Sequence, residues 1–355
     1  MKTNIPEIHI SDVRTFRQCR RKWEWSSPLK LNLEPYVVYP PFYTGRAIHQ
    51  ALEKHYLNGQ DLIEAFEDYV RDEEKLMEEQ GTLWPQEADT LEEQTVLAYN
   101  MLQHYQAWQH FDDKKYSDKN LKFLEMEYPF VVNMPTTKGG TSRTMRVAGR
   151  FDGLVYNTLT EEYYIWETKT TRSVSELTNS LSNDEQSALY LYAARKTFKV
   201  PIVGVLYNVL RKKAPTKPRV LQNGLLSKAQ IDTTPFHYYS CVKEICPDWE
   251  PETVMEFYGD MIMSLQENEY KYFLRYPIYK SDAEVRNVME GVFHTAKEML
   301  NPRTVAYPAP GWLACNFCHF KGPCLAKNMG QDYEILLSEE YRSRIIPETE
   351  EEVNG

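Results

Sequence analysis

The sequence predicts an α/β protein. Helix-period stretches lead up to residue 112, strand-like segments cluster between 122 and 210, and helical patterning returns between 251 and 300. The chain of 355 residues is long enough for one large domain or two small ones, with a sizeable buried core. Hydrophobic residues make up 42% and charged residues 26%, which fits an ordinary soluble enzyme. No apolar run approaches the roughly 18 residues that span a bilayer. The opening MKTNIPEIHI has neither an apolar core segment nor a small-residue cleavage site, so a secretory signal is not expected. Transmembrane, collagenous and wholly disordered classes are excluded.

Residues 11–25 (SDVRTFRQCRRKWEW) are expected to form one helix with Ser11 as its N-cap. The Pro-rich stretch Pro35–Pro41 reads as a loop. Ile48, Leu52 and Tyr56 recur at helical spacing within Gly45–Leu57, with Ala51 and His55 beside them. Two further helices, about 61–80 and 91–112, are separated by the breaker Gly81–Pro85. Lys122–Val132, Met145–Tyr156 and Glu162–Lys169 alternate as strands, the last two joined by the turn NTLTE, with a polar turn around Lys138-Gly139-Gly140. Asn183–Phe198 looks helical, and Pro201–Leu210 (PIVGVLYNVL) has the unbroken apolar pattern of a buried strand. Helices are expected over much of 251–275 and 281–300. The last ordered element carries three cysteines, and the Glu-rich end reads as a tail.

Lys+Arg total 41 against Asp+Glu 51, a net charge of −10, so the whole chain does not carry the positive field usual for a nucleic-acid binder. The distribution is uneven. Arg195–Arg219 holds eight basic residues and no acidic ones, and Arg14, Arg17, Arg20, Arg21 and Lys22 form a second cluster. Acid concentrates in Glu64–Glu79 and Glu348–Glu352.

The chemistry centres on Asp152, in GRFDGLV, and on Glu167 and Lys169, in WETKT. In a strand, Glu167 and Lys169 point to the same face, and a hairpin can bring Asp152 beside Glu167. Burying two carboxylates and an ammonium together is costly unless something resolves the charge. A divalent cation does so, because carboxylates are hard oxygen ligands suited to Mg2+ or Mn2+. Such an ion polarises a phosphodiester and activates water, while Lys169 would hold or deprotonate that water and offset charge in the transition state. A lone D…ExK pattern also occurs on ordinary surface hairpins. Here it is accompanied by Gln186 and Tyr190, one turn apart on one helix face, and by His49 in GRAIH at the flank of an apolar stripe.

In this order the blocks Gly45–His49 (G-x-x-x-H), Gly149–Asp152, Glu167–Thr170 and Gln186–Tyr190 resemble the RecB-like branch of the PD-(D/E)XK nucleases. They are similar to the CRISPR-associated RecB-like exonucleases, the AddB nuclease domain and phage recombination exonucleases. The resemblance implies a restriction-endonuclease-like core, a mixed sheet flanked by helices, with helical insertions. It implies that His49, Asp152 and Glu167 bind the metal, that Lys169 is catalytic, and that Gln186 and Tyr190 contact the substrate strand or orient Lys169. Phe151 stands where the superfamily's proline would be. In the preceding strand, Glu125 and Glu127 share a phase, so alternation does not choose between them.

Six cysteines without a secretory signal do not suggest a disulfide scaffold. Cys315-x2-Cys318-x5-Cys324 supplies three thiolates within ten residues, a metal signal. A fourth ligand could be His319, which directly follows Cys318, or Cys19, which is better placed. One cysteine before the motif blocks and three after them resembles the iron–sulfur staple of the same RecB-like relatives. It implies a [4Fe–4S] cluster on Cys19, Cys315, Cys318 and Cys324, with structural Zn2+ as the alternative. The cluster would join the chain's two ends and hold the basic N-terminal helix against the nuclease core. Cys241 and Cys246 read as ordinary thiols, and Trp23, Trp25 and Tyr36 could stack on bases.

The expectation is a metal-dependent DNA exonuclease acting on single-stranded ends in recombination, repair or phage DNA processing. A CRISPR-adaptation or structure-specific endonuclease trimming overhangs, and a non-catalytic DNA-binding module, are the alternatives. The expected organisation is one nuclease domain over 1–330 and an acidic tail over 331–355. Within it, 1–44 carries the basic helix, 45–120 is helical, 121–220 is the catalytic core, 221–309 is a helical elaboration and 310–330 is the cysteine cluster. No G-x4-G-K-[S/T] phosphate loop is present, so a helicase, recombination or CRISPR partner would be a separate chain. The expected setting is the cytoplasm of a bacterial or phage-infected cell, with no membrane contact.

Overall fold

The computed structural model describes residues 5–36, 40–80, 85–111, 114–136 and 139–344. In chain order its first elements are β1 (Glu7–Ile8), α1 (Ile10–Gln18), α2 (Arg20–Ser26) and β2 (Leu33–Pro35). Three long helices follow, α3 (Pro40–Asn58), α4 (Leu62–Gln80) and α5 (Pro85–Phe111). Next come β3 (Leu121–Pro135), β4 (Thr141–Asn157), β5 (Glu162–Thr171), α6 (Val174–Leu181), α7 (Glu185–Thr197) and β6 (Ile202–Arg211). The remainder is α8 (Pro235–Ile245), α9 (Pro251–Ser264), α10 (Gln266–Tyr272), β7 (Phe273–Ile278) and α11 (Asp282–Met299), then α12 (Trp312–Asn316), α13 (Lys321–Asn328), α14 (Tyr333–Glu340) and β8 (Tyr341–Ser343). Among the described residues no helix is long and apolar enough to cross a membrane.

The chain divides into two compact units. A central unit comprises Tyr39–Phe130 and Arg150–Val285, and a terminal unit comprises Met1–Val38, Val131–Gly149 and Arg286–Gly355. The fold is α/β, a mixed sheet with helices flanking it. In the central unit β4 and β5 form an antiparallel hairpin running from Gly153↔Trp166 to Asn157↔Glu162. The turn is fixed by Asn157, whose side-chain oxygen accepts from the N–H groups of Leu159 and Thr160 at 2.9 and 3.1 Å. β6 lies parallel to β5, and α6 and α7 supply the crossover that a parallel pair requires. β7 closes this edge antiparallel to β6.

The apolar stripe of α3 (Ala47, Ile48, Ala51, Leu52) packs with Leu62 and Phe66 of α4 and Ala98 and Leu102 of α5. This positions His49 at the margin of a packed helical trio. A second cluster, Val155, Tyr164, Trp166 and Leu206, packs the sheet's face. Both terminal nitrogens of buried Arg275 of β7 are engaged, by the Tyr116 carbonyl at 2.7 Å, by the Tyr56 and Tyr105 hydroxyls at 3.2 Å and by the Asp118 carboxylate.

In the terminal unit β1 pairs parallel with the first part of β4, through Glu7↔Arg146 and Ile8↔Val147. β2 pairs antiparallel with β8, so the chain's ends meet around Trp25, Phe320, Leu337 and Tyr341. Arg17 donates to Thr295 at 3.0 Å and Arg20 pairs with Glu298, tying the basic N-terminal helices to α11.

Several expectations are corrected. The helix over 11–25 is two helices broken at Cys19, whose backbone is extended (φ −162°, ψ 111°). His9, not Ser11, is the N-cap residue. The helix over 251–275 gives way to β7 at Phe273, and α6 was not foreseen. Residues 333–343 of the expected tail form α14 and β8, while Glu348–Glu352 lie outside the described residues. The Pro35–Pro41 stretch closes β2 and opens α3, with residues 37–39 outside the description, as are 81–84 of the expected breaker and Lys138 of the polar turn. Trp23 and Trp25 are buried, so neither offers a face to a base.

Candidate active site

The four motif blocks converge in the central unit. Period-2 geometry on β5 sets Glu167 and Lys169 on one face, and the Lys169 ammonium pairs with Glu167 Oε1. Two residues of α7 complete this group. Asp184 caps the helix by accepting the Gln186 N–H at 3.0 Å, which fixes Gln186 in the first turn. Gln186 Oε1 accepts from Lys169 Nζ at 3.1 Å, while its Nε2 donates to Glu167 Oε1 and to the Tyr190 hydroxyl, both at 2.9 Å. Tyr190 in turn donates to the Arg150 carbonyl at 2.9 Å. Gln186 and Tyr190 therefore act on the same face, four residues apart.

Asp152 lies one residue beyond the paired Gly153 and Trp166, and its Oδ2 accepts the Thr168 backbone N–H at 2.7 Å. His49 Nδ1 stands 3.3 Å from the same oxygen. Ligand atoms of His49, Glu127 and Asp152 lie within 4.8 Å of one another. Glu127, not Glu125, occupies the third position, and Glu125 points into solvent. Glu127 has a left-handed backbone (φ 46°) inside β3, and Arg150 holds its carboxylate at 3.1 Å. Glu167 is not in that trio. Its Oε1 is engaged by Lys169 and Gln186, and its Oε2 is buried without a partner.

Electrostatics follow from burial. Burial raises the Asp152 carboxyl well above its ordinary range, and the nearby Glu167 charge pushes the same way. Burial raises Glu167 too, against the pull of Lys169. Burial would lower Lys169, but the charge and hydrogen bond of Glu167 outweigh it and the net shift is upward. Glu127 is raised by burial and then by Glu53 of α3. His49 is held down at about 4 by burial and by the Lys169 charge, so its ring is neutral and its contact with Asp152 is not an ion pair. Glu127 and Asp152, with Glu73 of α4, thus line a cleft of about 840 Å3 beside a neutral imidazole and the Lys169 ammonium, to which Glu167 is paired. The buried, unpartnered Glu167 Oε2 and the converging oxygen and nitrogen donors fit a hard divalent cation.

Of the residues singled out from sequence, His49, Asp152, Glu167, Lys169, Gln186 and Tyr190 meet here. Asp184, Arg150 and the Thr168 amide were missed. Asp184 alone had a readable signal, a capping residue directly before a helical run. The basic stretch Arg195–Arg219 is not one patch, because Arg195 pairs with Asp282, Arg211 and Lys213 with Asp232, and Lys217 with Glu244.

In the terminal unit Cys19, Cys315, Cys318 and Cys324 all line one cavity of about 310 Å3. Arg21 Nη1 lies 3.5 Å from the Cys324 sulfur, and the Gly311 N–H donates to the Cys315 sulfur at 3.4 Å. His319 is not among the lining residues. Burial pushes the Cys318 thiol up. Cys241 is buried between α8 and α9, its sulfur 3.8 Å from His237 Nε2, and Cys246 ends α8.

A sequence profile described as the PD-(D/E)XK nuclease superfamily matches residues 8–325. Among curated proteins a sequence search finds no match.

Proposed function

Because the chain belongs to the PD-(D/E)XK nuclease superfamily, we propose that it is a metal-dependent deoxyribonuclease of the RecB-like branch, an exonuclease that hydrolyses phosphodiesters from single-stranded DNA ends. The observation that carries the reading is one connected group. Lys169 is held between Glu167 and Gln186 beside the His49, Glu127 and Asp152 trio. The preference for single-stranded ends, and a place in recombination, repair or phage DNA processing, rest on the resemblance of the four motif blocks to RecB-like exonucleases.

His49, Glu127 and Asp152, with the free oxygen of Glu167, are the residues that would hold Mg2+ or Mn2+. When bound, the ion supplies Lewis-acid polarisation of the phosphodiester and brings a water to reactivity near neutral pH. The protein does the positioning. The Thr168 amide fixes the Asp152 carboxylate, and the neutral His49 ring keeps a lone pair for a ligand bond. Gln186 fixes the Lys169 ammonium, which orients the attacking water and offsets charge as the phosphodiester is attacked in line. Tyr190 braces Gln186 against the backbone of Arg150.

The terminal cavity is read as the seat of a [4Fe–4S] cluster. Four thiolates suit that cluster. A single tetrahedral zinc with Zn–S bonds of about 2.3 Å would draw its sulfurs to roughly 3.8 Å apart. Among the described residues, the atoms that converge within 4.8 Å as a group of three are those of His49, Glu127 and Asp152, whereas the cysteines surround a cavity. Its role is to staple the two chain ends, which already meet through β2 and β8.

The test is digestion of end-labelled linear and closed circular single-stranded DNA with Mg2+ or Mn2+, with Glu167→Ala beside the wild type. Metal-dependent loss of the linear strand alone, absent in the variant, is expected. Cleavage of circles would replace exonuclease by endonuclease, and wild-type turnover in Glu167→Ala would overturn the assigned chemistry.

A further inference from the structure

The active-site cleft has a neighbour with a more positive lining. Three carboxyl groups, Glu73, Glu127 and Asp152, line the first beside three cations, Arg46, Lys169 and Lys212, so it has no surplus of positive side chains for a phosphate chain. The second, about 870 Å3, lies in the same central unit and is lined by three cations, Arg172, Arg211 and Lys271, against one carboxylate, Asp232. That carboxylate is fully engaged. It accepts two bonds from Arg211 at 3.0 and 3.1 Å, one from Lys213 at 2.6 Å and one from Tyr272 at 2.9 Å, and it titrates at about 2. Burial comes first among the influences on it and opposes that value, and the Lys213 and Arg211 bonds overcome it.

Two of the cations are left over. Among the described residues no carboxylate lies within ion-pair distance of Arg172 or Lys271, and both are exposed. Lys271 has only the Asn268 amide oxygen, at 2.6 Å. Beside them stands Tyr270, 49% exposed, with the Lys114 ammonium 4.5 Å from its ring centroid. Cations, a half-exposed aromatic ring and amide and hydroxyl groups are what a single nucleic-acid strand needs for its phosphates and bases.

The two clefts adjoin along the same strand ends. β5 and the residue after it give Lys169 and Thr170 to the first and Arg172 to the second, while β6 and the residue after it give Arg211 to the second and Lys212 to the first. Thr171 pairs with Arg211, and Lys212 N–H donates to the Thr171 carbonyl at 2.6 Å, so these two chain ends are locked together. Arg172 follows Lys169 by three residues, about 10 Å of extended chain.

We propose that this second cleft is a nucleotide-binding subsite holding the strand next to the scissile phosphodiester, with Arg172 and Lys271 on phosphates and Tyr270 stacked on a base. This deepens the nuclease reading and rests on it for the words "scissile phosphodiester", but not for the binding itself. The site also explains how a chain of net charge −10 holds a polyanion, since positive potential is needed only where the strand lies.

The experiment is fluorescence anisotropy of a labelled single-stranded oligonucleotide in EDTA across a salt series, with cleavage by the wild type in Mg2+ or Mn2+ read in parallel. The double variant Arg172→Gln, Lys271→Gln is expected to flatten the slope of log Kd against log salt by about 1.4, two single-strand phosphate contacts. Arg172→Lys keeps the slope. Tyr270→Ala weakens binding about tenfold with the slope unchanged. A double variant with wild-type slope and affinity overturns the subsite, as does a wild type that does not bind the oligonucleotide. If that happens while the wild type cleaves, the nuclease reading stands without the subsite. If the slope flattens but no nucleic acid is cleaved with either ion, the subsite stands and the nuclease reading falls.

Discussion

Gln186 gives the sharpest test of how Lys169 is controlled. The residue is 8% exposed and every arm of its amide is used, accepting from Lys169 at 3.1 Å and donating to Glu167 and Tyr190 at 2.9 Å. Gln186→Met keeps the volume and removes all three bonds. A hydrogen bond to a charged group contributes about 1.5–3 kcal/mol, so if that bond holds Lys169 in its reactive position the single-turnover rate falls about 10- to 150-fold. Lys169→Ala alone should cost about 10²–10⁴-fold. The decisive measurement is the double-mutant cycle, by single-turnover cleavage of labelled DNA at saturating enzyme. With Lys169 gone, Gln186→Met should cost no more than about fivefold further, the part that acts through Glu167. The same 10- to 150-fold loss in both backgrounds would refute the coupling. So would a Gln186→Met enzyme within threefold of wild type, provided its thermal midpoint shows it folded.

The remaining predictions concern the cysteine cavity and a half-buried histidine pair. Protein purified without oxygen should carry four irons and four sulfides per chain and lose both in Cys19→Ser or Cys318→Ser; stoichiometric zinc with no iron would replace the cluster reading. His104 of α5 lies 4.4 Å from His237, ring to ring, and burial and then that neighbour hold it down at about 4. Since the unfolded chain takes up a proton near 6.5 and the folded one does not, this group's stabilisation is complete above 6.5 and is lost as pH falls toward 4. Urea midpoints measured from pH 7 to 4 should therefore decline less steeply in His104→Phe than in wild type, and parallel curves would exclude this source of acid sensitivity.

What the sequence made legible is local, and what it hid is non-local. The strands β3 to β6 and helices α3 and α7 announce themselves by alternation and period, and the motif residues ride on them. β7 was hidden because FLRYPI carries Arg275, a charge that reads as surface. Its counter-ion Asp118 and two tyrosine partners, Tyr56 and Tyr105, come from more than 150 residues away. β8 was hidden for the same reason, since its pairing partner β2 lies about 300 residues earlier. The basic clusters misled in the opposite direction. Runs such as Arg211–Lys213 looked like a free patch, and only tertiary structure brings Asp232 against them.

The choice between Glu125 and Glu127 shows why a site can be half visible. Both lie on β3 with the same phase, and an ideal strand would present both or neither. The strand is not ideal. At Glu127 the backbone enters the left-handed region, which a non-glycine residue occupies only at a cost of order 1–3 kcal/mol. β3 pairs with β4, and the irregular segment lies hard against Gly153. A Cβ at 153 would stand 2.8 Å from Met126 Sδ and 3.0 Å from the Glu125 carbonyl. The glycine after Asp152 therefore serves the neighbouring strand more than its own. Its missing side chain gives β3 room to turn, and the turn delivers Glu127 to Asp152 and His49. A methyl group there would meet Met126 and the Glu125 carbonyl first, and so act on Glu127 and on the donor set that a cation needs.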